Sequence, residues 1–467
     1  MSRFGPAARI FFVLLLVIGL EAQGSRPLLA QSSARPQPSE PSKALTLPEA
    51  AEFALQNNPR VKAALSGREI MDAQVRESQS GWWPLLQFSE TFTRSNNPVF
   101  VFGSLLEQSR FGPQNFAVDS LNSPDPLNNF RTAINLKWAV FDQMQSSARV
   151  AQARIGQEQA DYQKEMVKQH LRLEVIRAYY GVILARQRKE VTDEAVKMGE
   201  ADRKRITDFF QSGLVVQSDL LAAEVQLAEF RQQQVQASGD LITAHAYLNA
   251  VLGTPIHTPQ DIAEQLRDRQ FPVAETDELI RQALQHRPDY SRAGSSLRAT
   301  EEGVRGAKGN YLPRIDVFSS YGISGKDLTS GSSDYAIGAG VTLNVFDFSR
   351  SASLDKARAA QAAAAAEQEH LANQIRLEVI QAYQDYVSAG ERLNVAAQTV
   401  AQAQETLRIV QDRYREGLTT ITEVLRAETA FLRTRLNLIT TRYDYYIGYA
   451  RVLMATGRLT DVTPFVS

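Results

Sequence analysis

The sequence predicts a mainly α-helical chain with a membrane β part: a tandem-duplicated protomer of long coiled-coil helices plus four β-strands. Three observations carry this prediction. Two long runs, from about Gln143 to Phe210 and from about Ser349 to Tyr414, lack proline and consist largely of Ala, Gln, Glu, Arg, Lys and Leu. Such residues lose little on entering a helix, and at 1.5 Å per residue each run would span on the order of 100 Å. The same order of parts occurs twice in one register. Four further segments alternate apolar residues with small or polar ones, the period of a strand.

Composition narrows the possibilities. The 467 residues carry 51 Lys and Arg against 52 Asp and Glu, a formal charge of -1. Without a basic excess to neutralise phosphates, nucleic acid is not an expected partner. The chain has no cysteine, which excludes disulfides, thiolate metal sites, a cysteine nucleophile and a lipidated cysteine anchor. Arg3 and Arg9 precede the apolar run Ile10 to Leu20, too short to cross a bilayer as a helix, so residues 1–30 read as a secretory signal peptide. Cleavage is placed after Ala30, with Ala22 the alternative. Residues 31–43, rich in Pro, Ser and Gln, read as a disordered linker. No later window is apolar enough for a membrane helix, so any membrane residence is by strands.

The duplication is explicit. Arg172-Leu173-Glu174-Val175-Ile176 matches Arg376-Leu377-Glu378-Val379-Ile380 at a shift of 204, and the same shift carries Gly213-Leu214 onto Gly417-Leu418 and Ala223-Glu224 onto Ala427-Glu428. Upstream a shift of 229 carries Pro59 onto Pro288 and Pro84 onto Pro313. Repeat 1 therefore covers 45–257 and repeat 2 covers 274–460, with a tail at 461–467.

Each repeat begins with a short helix (Leu47 to Gln56; Thr276 to Gln285) and a proline suited to a first helical position. A second helix of about twenty residues ends at Trp82-Trp83-Pro84 or Tyr311-Leu312-Pro313, where the period changes to two. Strands are expected at about 85–95, 131–142, 313–324 and 334–347. The returning strands both end in Val-Phe-Asp: Val140-Phe141-Asp142 and Val345-Phe346-Asp347. The first strand is the weakest, because Glu90 falls on the face of Leu86, Phe88 and Phe92. A long loop (Asn97 to Asn129) and a short Gly/Ser loop (Gly325 to Ser333) join the pairs.

After the strands come the long helices, turning near 211–218 and near 415–422. The two shorter helices of each repeat sum to about 80 Å at 1.5 Å per residue, so they can stack end to end against the long one. Leu425, Leu432, Ile439, Tyr446 and Leu453 repeat every seven residues, as Leu221, Ala228, Val235 and Ile242 do in repeat 1, the pattern of a coiled-coil seam.

Four strands of about ten residues, apolar on one face, have the length and dyad of transmembrane strands. Four cannot close, and open edges in lipid would each leave unpaired backbone groups, so the barrel must be shared between chains. Trp82, Trp83, Trp138, Tyr311, Phe141 and Phe346 gather at the strand ends nearest the helices, the place of an interfacial aromatic belt. A water-soluble four-stranded sandwich is the plainer alternative.

With these parts in place the chain resembles the TolC-like outer-membrane efflux protein family over nearly all of residues 45–460. The most specific residues lie at the tips: Arg205, Phe210, Gly213-Leu214-Val215, Asp219 and Ala223, and Arg413-Tyr414, Gly417-Leu418, Leu425 and Ala427. The resemblance implies a homotrimer with a 12-stranded barrel in outer-membrane lipid and a helical tunnel through the periplasm, without catalysis or cofactor. It implies a channel that exports drugs, metals or secreted proteins for a tripartite inner-membrane efflux pump or a type I secretion system, through a periplasmic adaptor (membrane fusion protein). It also implies that Gly213, Leu214, Val215, Gly417 and Leu418 dock the adaptor, that Glu423 charges a closed aperture, and that Tyr414 hydrogen-bonds Asp219 as a latch. Arg426 and Thr419 depart from the family's best-known pattern, in which a second acidic residue stands at the first position and a gating arginine can occur at the second.

Plainer roles exist for the same residues. A glycine at a reversal favours positive φ, and Asp219 or Glu423 near a helix start complements the dipole. The alternative from another class is a non-pore periplasmic coiled-coil scaffold or adaptor. Enzyme chemistry has little support: His170, His245, His257, His286 and His370 are scattered without ligand spacing, so no metal site is expected, and no phosphate-binding or nucleophile motif occurs.

Overall fold

The computed structural model describes residues 44–263, 266 and 269–465; the expected signal peptide and linker lie outside them. In chain order the elements are α1 (Leu47–Asn57), α2 (Pro59–Gln79), β1 (Leu85–Ser95), α3 (Pro98–Glu107), α4 (Val118–Asn122), β2 (Leu127–Asp142), α5 (Gln145–Gln211) and α6 (Gln217–Leu252). Then follow α7 (Thr276–His286), α8 (Pro288–Gly309), β3 (Arg314–Asp327), β4 (Ser330–Thr342), α9 (Ser349–Arg415) and α10 (Ile421–Ala455). Two units result. Among the described residues, the strand unit holds Gln74–Ala153 and Glu302–Arg358, and the helical unit holds the remainder.

In the strand unit the four strands form one antiparallel sheet in the order β1-β2-β3-β4. Leu86, Phe88, Ile134, Leu136, Val317, Tyr321, Tyr335 and Ile337 share one face through the registers Leu86↔Leu136, Ile134↔Tyr321 and Tyr321↔Tyr335. The opposite face carries Ser89, Asn135 and Ser320, linked in a row in which Asn135 donates to Ser89 Oγ at 3.3 Å and Ser320 donates to Asn135 Oδ1 at 2.9 Å. Glu90 lies on the apolar face opposite Thr132, whose hydroxyl donates to its carboxylate. That bond gives the carboxylate a polar partner on an otherwise apolar face.

Three sequence expectations need correction here. The segment expected as a loop from Asn97 to Asn129 contains α3 and α4, and β2 already begins at Leu127. Asn97 caps α3 by accepting from Phe100 N at 3.1 Å, with Pro98 in the first turn; this cap-and-proline start was legible. The Gly/Ser stretch is a tight hairpin, because the strands run to Asp327 and restart at Ser330. Finally, β4 ends at Thr342, opposite Arg314, the first residue of β3. Beyond it no neighbouring strand offers pairing, so Leu343, Val345 and Phe346 lie outside the sheet. The repeated Val-Phe-Asp has a different meaning. Asp142 accepts from Ser146 N at 2.7 Å and Asp347 from Ser349 N at 2.9 Å, so each aspartate caps the long helix that follows.

In the helical unit the two short helices of repeat 1 do lie against the long one. Arg60 with Glu174 (2.8 Å) and Arg68 with Asp161 (2.9 Å) align α2 with the first half of α5, and Arg231 with Glu200 (2.9 Å) aligns α6 with the second half. At their junction Asn58 Nδ2 donates to Val251 O at 2.8 Å. Repeat 2 makes the same junction with exchanged chemistry, since Arg287 and Asp289 replace Asn58 and Arg60. Arg287 bridges Asp289 and Glu378, both at 2.6 Å. The main core is built where α1, α5, α9 and α10 meet, around Tyr179, Tyr180, Ile183, Ile375, Tyr446 and Leu453. Two stretches outside the expected repeats complete it: Phe271 stacks on Tyr449 at 4.3 Å, and Phe465, in the expected tail, is buried beside Tyr180.

The seams differ between repeats. Leu425, Leu432, Ile439, Tyr446 and Leu453 are buried as expected, but Leu221, Val235 and Ile242 of α6 are exposed, the last two at 72%. The reason is geometric: α10 has the other repeat beside it within the chain, whereas the equivalent face of α6 has no second neighbour there.

Candidate functional site

Each helical hairpin turns in the same way. Gly213 (φ 75) and Gly417 (φ 73) are left-handed; Gly213 N donates to Phe210 O and Leu214 N to Phe209 O, matched by Gly417 to Tyr414 and Leu418 to Arg413, at 2.8–3.0 Å. This pair of bonds is a Schellman ending, which satisfies carbonyls the helix leaves free. Leu214 and Leu418 are exposed at the apex, while Val215 is half-buried against a small tip core of Ile206, Ala223, Ile421, Val424 and Leu425.

The structure brings Tyr414, Asp219 and Arg205 together near that core. Burial raises the Tyr414 hydroxyl above its usual range, and the nearby Asp219 raises it further. The hydroxyl is enclosed and makes no hydrogen bond, so the latch bond to Asp219 is not formed in this structure. Arg426 and Glu423 are exposed and pair at 2.8 Å within one turn of α10, so the lone arginine offsets its neighbour's charge. Thr419 is half-buried at the turn and adds no charge.

Sequence reasoning missed a group one turn beyond these. Glu428 is fully buried, and its carboxylate accepts no hydrogen bond. Facing it are Asp202 and Arg205 of α5 and Gln411 of α9. Asp202 is itself 4% exposed, with Oδ1 held by Arg205 at 3.2 Å and Oδ2 unpartnered. Burial, and then the adjacent Asp202, push the Glu428 carboxyl up to about 9, so it is neutral at physiological pH. The Ala-Glu dipeptide in both repeats was visible in the sequence, but Glu224 of repeat 1 is exposed, so periodicity alone could not single out Glu428.

In the strand unit, Trp82, Trp83, Trp138 and Tyr311 gather at one end of the sheet. Trp138 Nε1 donates to Trp82 O at 3.0 Å, and Arg350 lies over the Tyr311 ring at 5.0 Å. Phe141 is half-buried in β2, and Phe346 is 88% exposed beyond β4.

A sheet apolar on one face and polar on the other, with both outer edges open and each strand pair leading into a helical hairpin, has the fold of an outer-membrane channel. The fold matches the Campylobacter jejuni CmeC outer membrane channel with a TM-score of 0.77 at 17% identity, covering 94% of each chain. A family model described as outer membrane efflux protein matches residues 51–254 and 279–458, the two halves of the duplication, and the chain belongs to that family. It is 26% identical over 438 residues to Protein CyaE of Bordetella pertussis, covering 91% of this chain and 86% of that one. It is 22% identical over 438 residues to outer membrane protein TolC of Escherichia coli, covering 90% and 84%. The chain is thus an outer-membrane channel protein of export.

Proposed function

We propose that three copies of this chain close a twelve-stranded barrel in the outer membrane and a continuous helical tunnel below it. This tunnel is the passive exit duct of an inner-membrane pump joined through a periplasmic adaptor. The observation that carries the reading is the mismatch between repeats. The seam of α10 is buried within the chain, its counterpart on α6 is exposed, and β1 and β4 are unpaired at the sheet edges. Both deficits have one remedy, a neighbouring copy that offers its repeat 2 to this repeat 1.

The aromatic cluster from Trp82 to Tyr311 marks the inner interface of the membrane, and the apolar tips around Leu214 and Leu418 suit adaptor docking. In this reading the bond from Tyr414 to Asp219, not formed in the single chain, closes in the trimer and ties the two hairpins at the aperture; the enclosure of Tyr414 and the nearness of Asp219 support it. Residues 1–30 act as the export signal.

Reconstitution tests the proposal. The purified protein should run as a trimer in detergent, conduct ions in planar bilayers, and conduct more in Tyr414→Phe/Asp219→Ala. A monomeric, non-conducting product would refute the duct, and unchanged conductance of the double variant in an inserted trimer would refute the latch.

A further inference from the structure

The segment between β1 and β2 folds back onto the sheet, and it does so on the polar face. Its Glu107 accepts from Ser324 Oγ at 3.3 Å and lies 3.7 Å from Arg131 Nη1. Ser109 Oγ and Ser332 Oγ are 2.9 Å apart. Arg131, Ser324 and Ser332 form one transverse row, Arg131 opposite Ser324 and Ser324 opposite Ser332, across β2, β3 and β4. The segment therefore crosses three strands, away from the edge at which its own strand β1 lies. Arg131 is fixed in turn by Asp334, with two bonds of 2.7 and 2.8 Å, a bidentate geometry that sets direction as well as strength.

What the clasp holds is apolar. Phe102, Phe111 and Phe116 pack edge to face at 4.8 and 5.1 Å, while Val99 is 81% and Val118 71% exposed. A surface loop meant only for water has no need of such a group.

In lipid the apolar face must point outward, so the polar face lines the lumen. We propose that residues 97–126 form a cap folded inward over the barrel mouth at the strand ends away from the helices. Three copies bring their apolar surfaces together around one opening, a gate that closes by excluding water. The proposal rests on the shared-barrel reading. It places a second barrier at the end of the duct opposite the helical tips, released when the contacts of Glu107 and Ser109 with the lumen row part.

The absence of cysteine makes a direct test possible. A Ser109→Cys/Ser332→Cys channel in planar bilayers should, when oxidised, stay at low conductance, and reduction should restore wild-type openings. Replacing residues 98–125 by a short Gly/Ser turn should raise conductance several-fold, and Glu107→Gln, which keeps the shape, should raise the frequency of open events. A capless trimer with wild-type conductance, or an oxidised channel that opens as far as the capless one, would overturn the cap while leaving the barrel standing. If wild-type trimer inserts no channel at all, the shared barrel fails and the cap fails with it.

Discussion

Replacing Glu428 by Gln tests whether a buried neutral carboxyl sets the pH response of the helical tips. Glutamine keeps the shape and cannot ionise. In the wild type, burial and then Asp202 hold Glu428 at about 9, against an ordinary 4.5. The sign follows directly. Between those two values the folded chain binds a proton that the opened chain releases, so stability is fully present below about pH 4.5 and declines as pH rises towards 9. The slope is about 1.4 kcal/mol per pH unit for each chain, or about 3 kcal/mol at pH 7 relative to pH 4.5, an upper bound because Asp202 and Arg205 readjust when the proton leaves. Thermal unfolding of wild type and Glu428→Gln between pH 5 and 9 measures it. The variant should match the wild type near pH 5 and exceed it progressively above, by several degrees at pH 8. Parallel curves across the whole range would refute the account of a buried, neutral carboxyl.

Three further substitutions separate causes that the sequence cannot. Gly213 and Gly457 are both left-handed, but a Cβ at Gly213 meets nothing within 4 Å, whereas at Gly457 it would lie 2.8 Å from the backbone of His286 and Arg287. Gly213→Ala should cost about 1 kcal/mol and Gly457→Ala about 2–4 kcal/mol in denaturant melts. At Asp289 burial alone would push the carboxyl up, but Arg287 outweighs it and holds the group below its usual range. Arg287→Ala should therefore cost about 2–4 kcal/mol at pH 7 by stranding Asp289 and Glu378. Because a depressed carboxyl stabilises only above its unfolded value, that difference should shrink as the melts are taken below pH 4.

Much of the molecule was legible because it is periodic. Long proline-free runs, a shift of 204 that maps Gly213 onto Gly417 and Tyr179 onto Tyr383, and alternating strands fix element types from local rules. The tip turns were found from the glycines alone. What escaped detection were interactions with no local signature. Glu90 looked misplaced until the register put Thr132 opposite it, and the loop from Asn97 hid α3 and α4 because its aromatic residues pack on one another, Phe102 on Phe111 and Phe111 on Phe116, rather than along a repeating face. Phe271 and Phe465 lie outside the duplication, so the repeat gave no reason to expect them in the core.

The sequence by itself determined the duplication, the long helices, the existence of four strands and the positions of the helical tips, since each depends on residue type at short spacing. Only the tertiary structure decided which copy of a duplicated feature is buried. The seam of α10 is covered while that of α6 is bare, and Glu428 is enclosed while Glu224 meets solvent. Two nearly identical patterns acquire different environments because the second repeat has the first beside it, whereas the equivalent face of the first has no second neighbour within the chain.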